Sequence, residues 1–371
     1  MSQPVNVPEI SNADKERLAQ TGIDLSLQNR CGSYLQMDQD IVHSECTEQG
    51  IEVLPYKKAL EKYDWLKDYV WKVVSPEKDD ITKYVAAQKD PKGYVIIARK
   101  GTSNIFPIQA CLFLGKEQIQ HVHNLIIAEE GAELHIISGC SSGEKVGHGA
   151  AHYGISEFYV GKNAKISFTM IHNWSEHIEV YPRSASVVEE NGVFLSNYVC
   201  MQPVKKIQMY PTATLRGENS VARFSSVVIA PPGSYMDLGS RAVLEGNGSS
   251  AELVTRAITK GGTIISRGHI AGKKAGTRGH LECKGLILKD GVIYAIPEIE
   301  GSVVGTELSH EAAVGKLARE EIEYLMSRGL DEDEATATII RGFLDVKISG
   351  LPEVLQKQID ASIDEAEKSG F

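Results

Sequence analysis

Three residues late in the chain are of the types that bind soft or borderline metals. Cys283 stands in GHLECKGLIL, and His310 and Glu311 stand together in ELSHEAAVGKL. Thiolate, imidazole and carboxylate are ligands for iron or zinc, and thiolates favour iron–sulfur chemistry. On a regular strand adjacent residues face opposite ways. One of His310 and Glu311 would therefore support the metal from behind its ligand, unless a bulge or turn intervenes.

The other five cysteines (31, 46, 111, 140 and 200) show no CxxC or zinc-ribbon spacing. Without a secretory leader they are expected as free thiols, and packing is the default role of each. His121, His123 and His135 imitate a metal cluster, but strand histidines are more often hydrogen-bonded surface residues. His148 and His152 have a helical i, i+4 spacing, which Gly147 and Gly149 argue against. GCSSG does not satisfy GxSxG, and no GxxxxGK[ST] loop is present, so the chain is not expected to be an enzyme or to hydrolyse ATP.

The elements that would position these residues change period along the chain. Residues 1–92 read as a mainly helical region. Ser11 with Asp14 makes a capping-box-like start, and Leu60, Tyr63, Leu66, Val70 and Val73 fall at helical spacing. From 93 to 305 a repeat of small or polar turn residue plus alternating apolar positions starts at residues 131, 163, 191, 219 and 249. Self-similarity at this period signals stacked coils. Four-stranded propeller blades and leucine-rich repeats lack their signatures here, and a parallel β-helix fits best. Residues 306–371 read as helical again. Ala318, Ile322 and Met326 share a face, Gly329 is a stop, Asp331 with Glu334 opens the next helix, and a last helix follows Pro352.

A β-helix places residues one coil apart about 4.8 Å from each other. Cys111, Cys140, Cys200 and Cys283 are separated by 29, 60 and 83 residues, near one, two and three coils. They are expected on one side of the stack, with Cys140 and Cys283 on the order of 24 Å apart. They would mark two ends of a path rather than one metal site.

The charge is −10 overall, and the stretch from Thr306 onward carries 15 acidic and 7 basic residues. No basic patch suggests nucleic acid, no apolar run suggests a membrane span, and MSQPVNVPEI has no leader pattern. A cytoplasmic location is expected. The acidic tail reads either as a solvated face or as a docking surface.

The segments PIQACLFL, NLIIAEEGAELHIISGCSS, HNWSEHIEVYP, YPTATLRGENSVARFSS and ISRGHIAG precede LECKGLIL, SHEA and RGLDEDEATATIIRGF. In order and wording they resemble the scaffold proteins of Suf-type iron–sulfur cluster assembly, the SufB/SufD family, over roughly residues 105–350. The resemblance implies a mainly β fold with a right-handed parallel β-helix core between helical terminal regions. It implies a homodimer or a SufB–SufD-like heterodimer, a sulfur donor protein, and an ABC-type ATPase (SufC) docked on the C-terminal helices. Cys283 matches the ligand of a transient cluster and sulfur acceptor, and His310 and Glu311 match the pair beside it. Cys140 matches the persulfide acceptor, and Trp174 matches a tryptophan lining an internal sulfur route. Flavin participation is left open.

This chain departs from the family pattern at Phe113, Gly115, His172, Pro182 and Ser309, while Arg183 is retained. These changes suggest a divergent, SufB-like, archaeal-type member that pairs with itself. In the C-terminal helix, Ala335, Ile339 and Phe343 are the stripe expected to meet the ATPase. The alternatives are a SufD-like partner without a cluster, a metal-free interaction solenoid, and a carbohydrate-active β-helix. The last would need paired acids along an exterior groove, and these are missing from the strands.

Overall fold

In-register stacking of short alternating strands builds the molecule. The computed structural model describes residues 11–344, apart from residues 28 and 105 and the side chain of residue 333. The helix expected after Pro352 lies outside the described residues. The fold is a parallel β-solenoid of about 8 turns with helices at both ends.

The chain opens with α1 (Asn12–Gln20), β1 (Gly32–Met37), β2 (Asp40–Cys46), β3 (Ile51–Pro55), α2 (Tyr56–Lys62) and α3 (Asp80–Ala86). Coils follow through β4 (Tyr94–Ala98), β5 (Ile108–Leu114), β6 (Ile119–Ala128), β7 (Glu133–Ser142), β8 (Ala151–Val160), β9 (Lys165–Asn173) and β10 (Glu179–Val188). They continue through β11 (Val193–Cys200), β12 (Lys206–Met209), β13 (Thr212–Leu215), β14 (Val221–Ala230), β15 (Tyr235–Leu244) and β16 (Ser250–Thr259). The last are β17 (Thr263–Gly272), β18 (Arg278–Ile287), β19 (Val292–Gly301) and β20 (Glu307–Lys316), before α4 (Arg319–Met326) and α5 (Glu332–Leu344). A front sheet runs β2-β1-β5-β7-β9-β11-β14-β16-β18-β20, and a back sheet runs from β3 to β19.

The repeat seen in the sequence is one corner of this stack. Asn163, Asn191 and Asn219 sit there with φ of 55°, 54° and 53°, in line with Gly131, Gly248, Gly276 and Gly305, also at positive φ. Asparagine and glycine tolerate this left-handed turn best. Corner N–H groups donate to the next coil, as from Asn163 to the Glu190 carbonyl (2.8 Å) and from Asn191 to that of Glu218 (2.8 Å). Between the sheets, inward positions form one continuous apolar core. Phe158, Phe168, Phe194 and Phe224 pack there at ring separations of 4.9–5.9 Å. Each such side chain contributes roughly 1.5–3 kcal/mol on burial.

Two expectations of element type are corrected. The N-terminal region is not mainly helical. Gly32–Met37 pairs in parallel with β5 and joins the front sheet, and β3 joins the back sheet beside β4. The apolar stripe at residues 60–73 is split among α2, a 3-10 turn (Asp64–Asp68) and irregular chain, which pack on the outer face of the back sheet through Tyr56, Ala59 and Leu66. At the other end, residues 307–316 are strand, although the alanines of HEAAVGKL favour helix. The open edge of β18 supplies ten paired positions, and tertiary hydrogen bonding overrides propensity. The expected caps do form. Asp14 N–H donates to Ser11 Oγ (3.0 Å), Glu334 N–H to Asp331 Oδ1 (2.8 Å), and Gly329 ends α4 at φ 103°.

A buried carboxylate fastens the N-terminal segment to the back sheet. Glu157 has no exposure and accepts the backbone N–H groups of Trp71, Lys72, Val73 and Val74 (2.6–3.2 Å). His123 Nε2 donates to the same carboxylate (2.8 Å), and the Tyr56 hydroxyl meets His123 Nδ1 (3.1 Å). His123 is thus a buried structural residue rather than a surface one. Burial pushes the Glu157 pKa up, but the His123 hydrogen bond and charge and the backbone donors outweigh it. The net position is below the ordinary 4.5. A depressed carboxylate contributes stability above its unfolded pKa and loses it as pH falls through the folded value. Glu157→Gln is expected to cost about 3 kcal/mol, because its amide N–H₂ would face backbone donors. Urea midpoints should also show a smaller acid-side decline in the variant than in the parent.

Candidate functional site

Register decides which sequence-distant residues meet. Along the front sheet Cys140 pairs with His172 and His172 with Cys200, so these three share one inward column. The neighbouring inward column runs Ser138, Met170, Tyr198, Ser226, Thr255, Cys283 and Ala312. Cys140, Cys200 and Cys283 thus all face the lumen. Cys111 does not: it pairs with Gly139, one position away from Cys140, and so faces outward under Leu18 of α1. The expectation of four thiols on one side is corrected to three. A one-residue offset turns a strand side chain to the other face.

The buried Cys140 cluster lies beneath α1. Arg17 donates to the carbonyls of Ser142 (2.9 Å) and Trp174 (3.4 Å), tying the helix across two successive corners. Trp174 is fully buried in the lumen core, with its ring 5.1 Å from that of His152 and 5.5 Å from that of His172. Tyr198 hydroxyl meets His172 Nδ1 at 3.0 Å, whereas His172 Nε2 and Trp174 Nε1 are buried without a partner. Burial, and then the neighbouring His152, holds the His172 pKa far below its usual range, so the ring is neutral. Burial lifts the Cys140 and Cys200 thiols to about 12.

Cys283 sits one coil in from the end of the front sheet. It is buried, and Ser266 hydroxyl approaches its sulfur across the lumen (3.8 Å). Burial raises its pKa above the ordinary 9.0, against the opposing Ser266 hydrogen bond. On β20 His310 pairs with Leu281 and shares the inward parity of Cys283, while Glu311 pairs with Glu282 and faces out. There Lys284 reaches Glu311 (3.9 Å) and also contacts Glu282, which Arg256 holds at 2.7 Å. The alternation anticipated for His310 and Glu311 is therefore present. Among the described residues no three His, Cys, Asp or Glu side chains are assembled for a metal ion. A single chain presents Cys283 and His310 to one side and Glu311 to the other.

The C-terminal stripe is largely used within the chain. Ala335 is fully buried, and Ile340 and Leu344 pack on Ile137, Val199, Val227 and Leu286 of the front sheet. Phe343 lies partly buried with the Arg256 guanidinium 6.0 Å from its ring, and only Ile339 is half-exposed without being part of that cluster. Of the expected partner surface of Ala335, Ile339 and Phe343, Ala335 is fully buried within the chain and Phe343 packs beside Ile340 and Leu344, which lay another face of α5 on the apolar outer face of the front sheet. Ser266, Tyr198 and Glu157 were not singled out in the sequence. A lone Ser, Tyr or Glu on a strand carries no spacing signal until the register is known.

Comparison with known proteins places these features in a family context. Residues 112–343 match the family model described as SUF system FeS cluster assembly, SufBD core domain. An iron–sulfur cluster assembly SufBD family protein of Archaeoglobus fulgidus is 52% identical over 356 residues, covering 96% of this chain and 95% of that one. A protein of the same description from Methanothermobacter thermautotrophicus is 47% identical, covering 96% and 88%. One from Pyrococcus horikoshii is 30% identical, covering 92% and 77%.

The thiol environment yields a direct expectation. At pH 8 a pKa near 12 leaves about 10³-fold less thiolate than the ordinary value of 9.0. Iodoacetamide should therefore label Cys140 and Cys200 at least about a hundredfold more slowly in the folded protein than in urea. Peptide mapping by mass spectrometry measures this.

Proposed function

Because the chain belongs to the SufBD family of iron–sulfur cluster assembly proteins, we propose that it is the scaffold on which a nascent cluster is built. The observation that carries this reading is Cys283 facing the lumen one coil from the solenoid's uncovered end, with His310 on the terminal strand. Neither β19 nor β20 has a neighbour on its outer edge among the described residues. Tyr294 (57% exposed), Ile296, Ile299, Val304 (95%) and Val314 leave apolar surface there. Such an edge is stable in solution when another strand or chain covers it. A second copy joined at this end brings two Cys283, two His310 and two Glu311 within one interface.

Iron and sulfide are the cargo. Thiolate binds iron strongly, whereas imidazole and carboxylate exchange more readily, so mixed ligation suits a site that must give its cluster away. The Cys140 thiolate attacks the outer sulfur of a donor protein's persulfide and releases the donor as its thiolate. Trp174 and the interior column lead from there toward Cys283, where an external two-electron donor reduces that sulfur to sulfide. An ABC-type ATPase of the SufC kind docks on α4 and α5. The half-exposed Ile339 and the exposed Tyr324 and Met326 support this placement, beside the acidic start of α5. Closure of two ATPase subunits would strain the paired ends and expose the buried thiols.

Anaerobic reconstitution with iron(II) and sulfide should give the parent protein a cluster absorption spectrum. Cys283→Ala should lose it while keeping its fold, at a cavity cost of about 1 kcal/mol. A normal spectrum in that variant removes Cys283 from the site. Sedimentation should report a dimer, and a charge placed at Ile296 should dissociate it. For the ATPase, Ile339→Asp should abolish pull-down at unchanged Tm, whereas Ala335→Asp should lower Tm by unseating α5.

A further inference from the structure

The back sheet has a break halfway along the solenoid. β10 pairs with β12 at residues 179–180 and with β13 at residues 185–188, leaving Tyr181–Ser184 without ladder partners on that side, while on the other they stay paired with β8. The offset is the same on both sides of the gap, so no residue is inserted. The cause is two prolines, Pro182 and Pro211, in the facing stretches, neither of which has an N–H to donate. Arg183 spans the gap instead, donating to the carbonyls of Pro182 (3.0 Å) and Gln208 (2.7 Å) while held by Asp79 (2.5 Å).

Behind this break lies a cavity of ≈ 30 Å³ in the lumen, lined in part by Ser184, Ser186, Tyr198, Pro211, Ser226 and Ser240. That is room for one water or a species with one heavy atom. Inward-facing Met170, Ser184, Ser196 and Ser226 all keep some exposure, unlike most of the packed interior. The Ser186 hydroxyl is buried without a partner. Phe158, Phe168, Phe194, Phe224, Met170 and Met209 supply soft aromatic and thioether walls, which favour a polarisable sulfur.

The outer rim is cationic. Arg241 lies in register with Thr212 at the gap and with His269 on the other side, and its Nε is buried without a hydrogen-bond partner. Lys78 adjoins Arg183 and Arg241, and desolvation and then these like charges lower its pKa. Nearby acids are already engaged: Asp79 by Arg183 and Asp237 by Arg267 (2.6 Å). Glu298, in register with His269, stands one coil farther on.

We propose that this break is a side port through which inorganic sulfide, as hydrosulfide, enters the lumen without passing Cys140. The inference rests on the assembly reading above. Lys78 and Arg241 concentrate the monoanion, solvent protonates it, and neutral hydrogen sulfide crosses the apolar lumen. No bond between sulfur and the protein forms or breaks at the port. Ser226 lies in the column of Cys283, two coils away, so the cavity lies on the way to the thiol.

The near-isosteric Ser240→Cys places a thiol at the port and reads it without any cluster. In the folded protein its sulfur, on the inner side of the gap, should react with small alkylating agents approaching from outside, since only their reactive methylene carbon need enter the opening. The preference for iodoacetate over iodoacetamide, relative to free cysteine, should be about tenfold at low salt. That preference should vanish when Lys78→Gln and Arg241→Gln are added, and it should shrink with salt. In the otherwise native protein the same two rim substitutions should raise severalfold the sulfide concentration needed for half-maximal cluster formation. An unlabelled thiol in a protein with native circular dichroism overturns the port. So does labelling without charge preference, or an unchanged sulfide dependence. If the parent protein forms no cluster from sulfide at all, the assembly reading fails, and labelling alone then decides whether an anion-selective port exists.

Discussion

Every feature of this molecule hangs on the in-register parallel ladder that stacks one coil on the next. Successive coils differ by 28 or 29 residues over most of the core, as from Val193 to Val221 and from Ser250 to Arg278. The corner asparagines and glycines hold that count by taking the left-handed turn and donating to the following coil. With the count held, inward and outward faces never exchange, and columns of side chains run the length of the solenoid. The placement of Cys140 beneath His172 and Cys200, and of Cys283 above Thr255, follows from this arithmetic. So does the outward turn of Cys111, one residue out of step.

A ladder of this kind cannot close on itself, and its two ends are finished differently. At the N-terminal end β2 turns back antiparallel to β1 and carries Asp40, His43 and Glu45 along the edge. Charges on an edge strand discourage further pairing. At the other end β19 offers Tyr294, Ile296 and Ile299, and β20 has open lumen positions at His310, Ala312 and Val314. One end is blunted by charge, and the other, among the described residues, leaves apolar side chains on its edge. The buried thiol of Cys283 lies one coil in from that end.

The interior is mainly apolar, with polar side chains set into it at particular coils. His172, Tyr198, Ser138, Thr255, Ser266 and Ser186 lie among phenylalanine, isoleucine and valine side chains, and two of their polar atoms, His172 Nε2 and Ser186 Oγ, lack partners. Burying an unsatisfied polar group costs stability, so a core selected for stability alone would not hold them. The Glu157 clamp is the counter-example. It is equally buried but fully satisfied by four backbone N–H groups and His123, and its role is to hold the N-terminal segment in place.

Much of this could be read without coordinates. The period of the turn residues announced stacked coils, the wording around Cys140, Trp174, Cys283 and His310–Glu311 pointed to cluster assembly, and the caps at Ser11 and Asp331 were visible as local signals. These are properties of short segments, and short segments keep their chemistry wherever they fold. What the tertiary structure decided depends on the partner strand. HEAAV became strand because β18 offered an open edge, residues 32–55 became strand because β5 and β4 did, and Ile340 and Leu344 became buried because the front sheet offers them an apolar outer face. Which thiols share a column depends on a one-residue register, and the gap beside Pro182 opens where the stacking brings Pro211 opposite Ser184, 27 residues away. Contacts of that kind are set by stacking, which no single segment encodes.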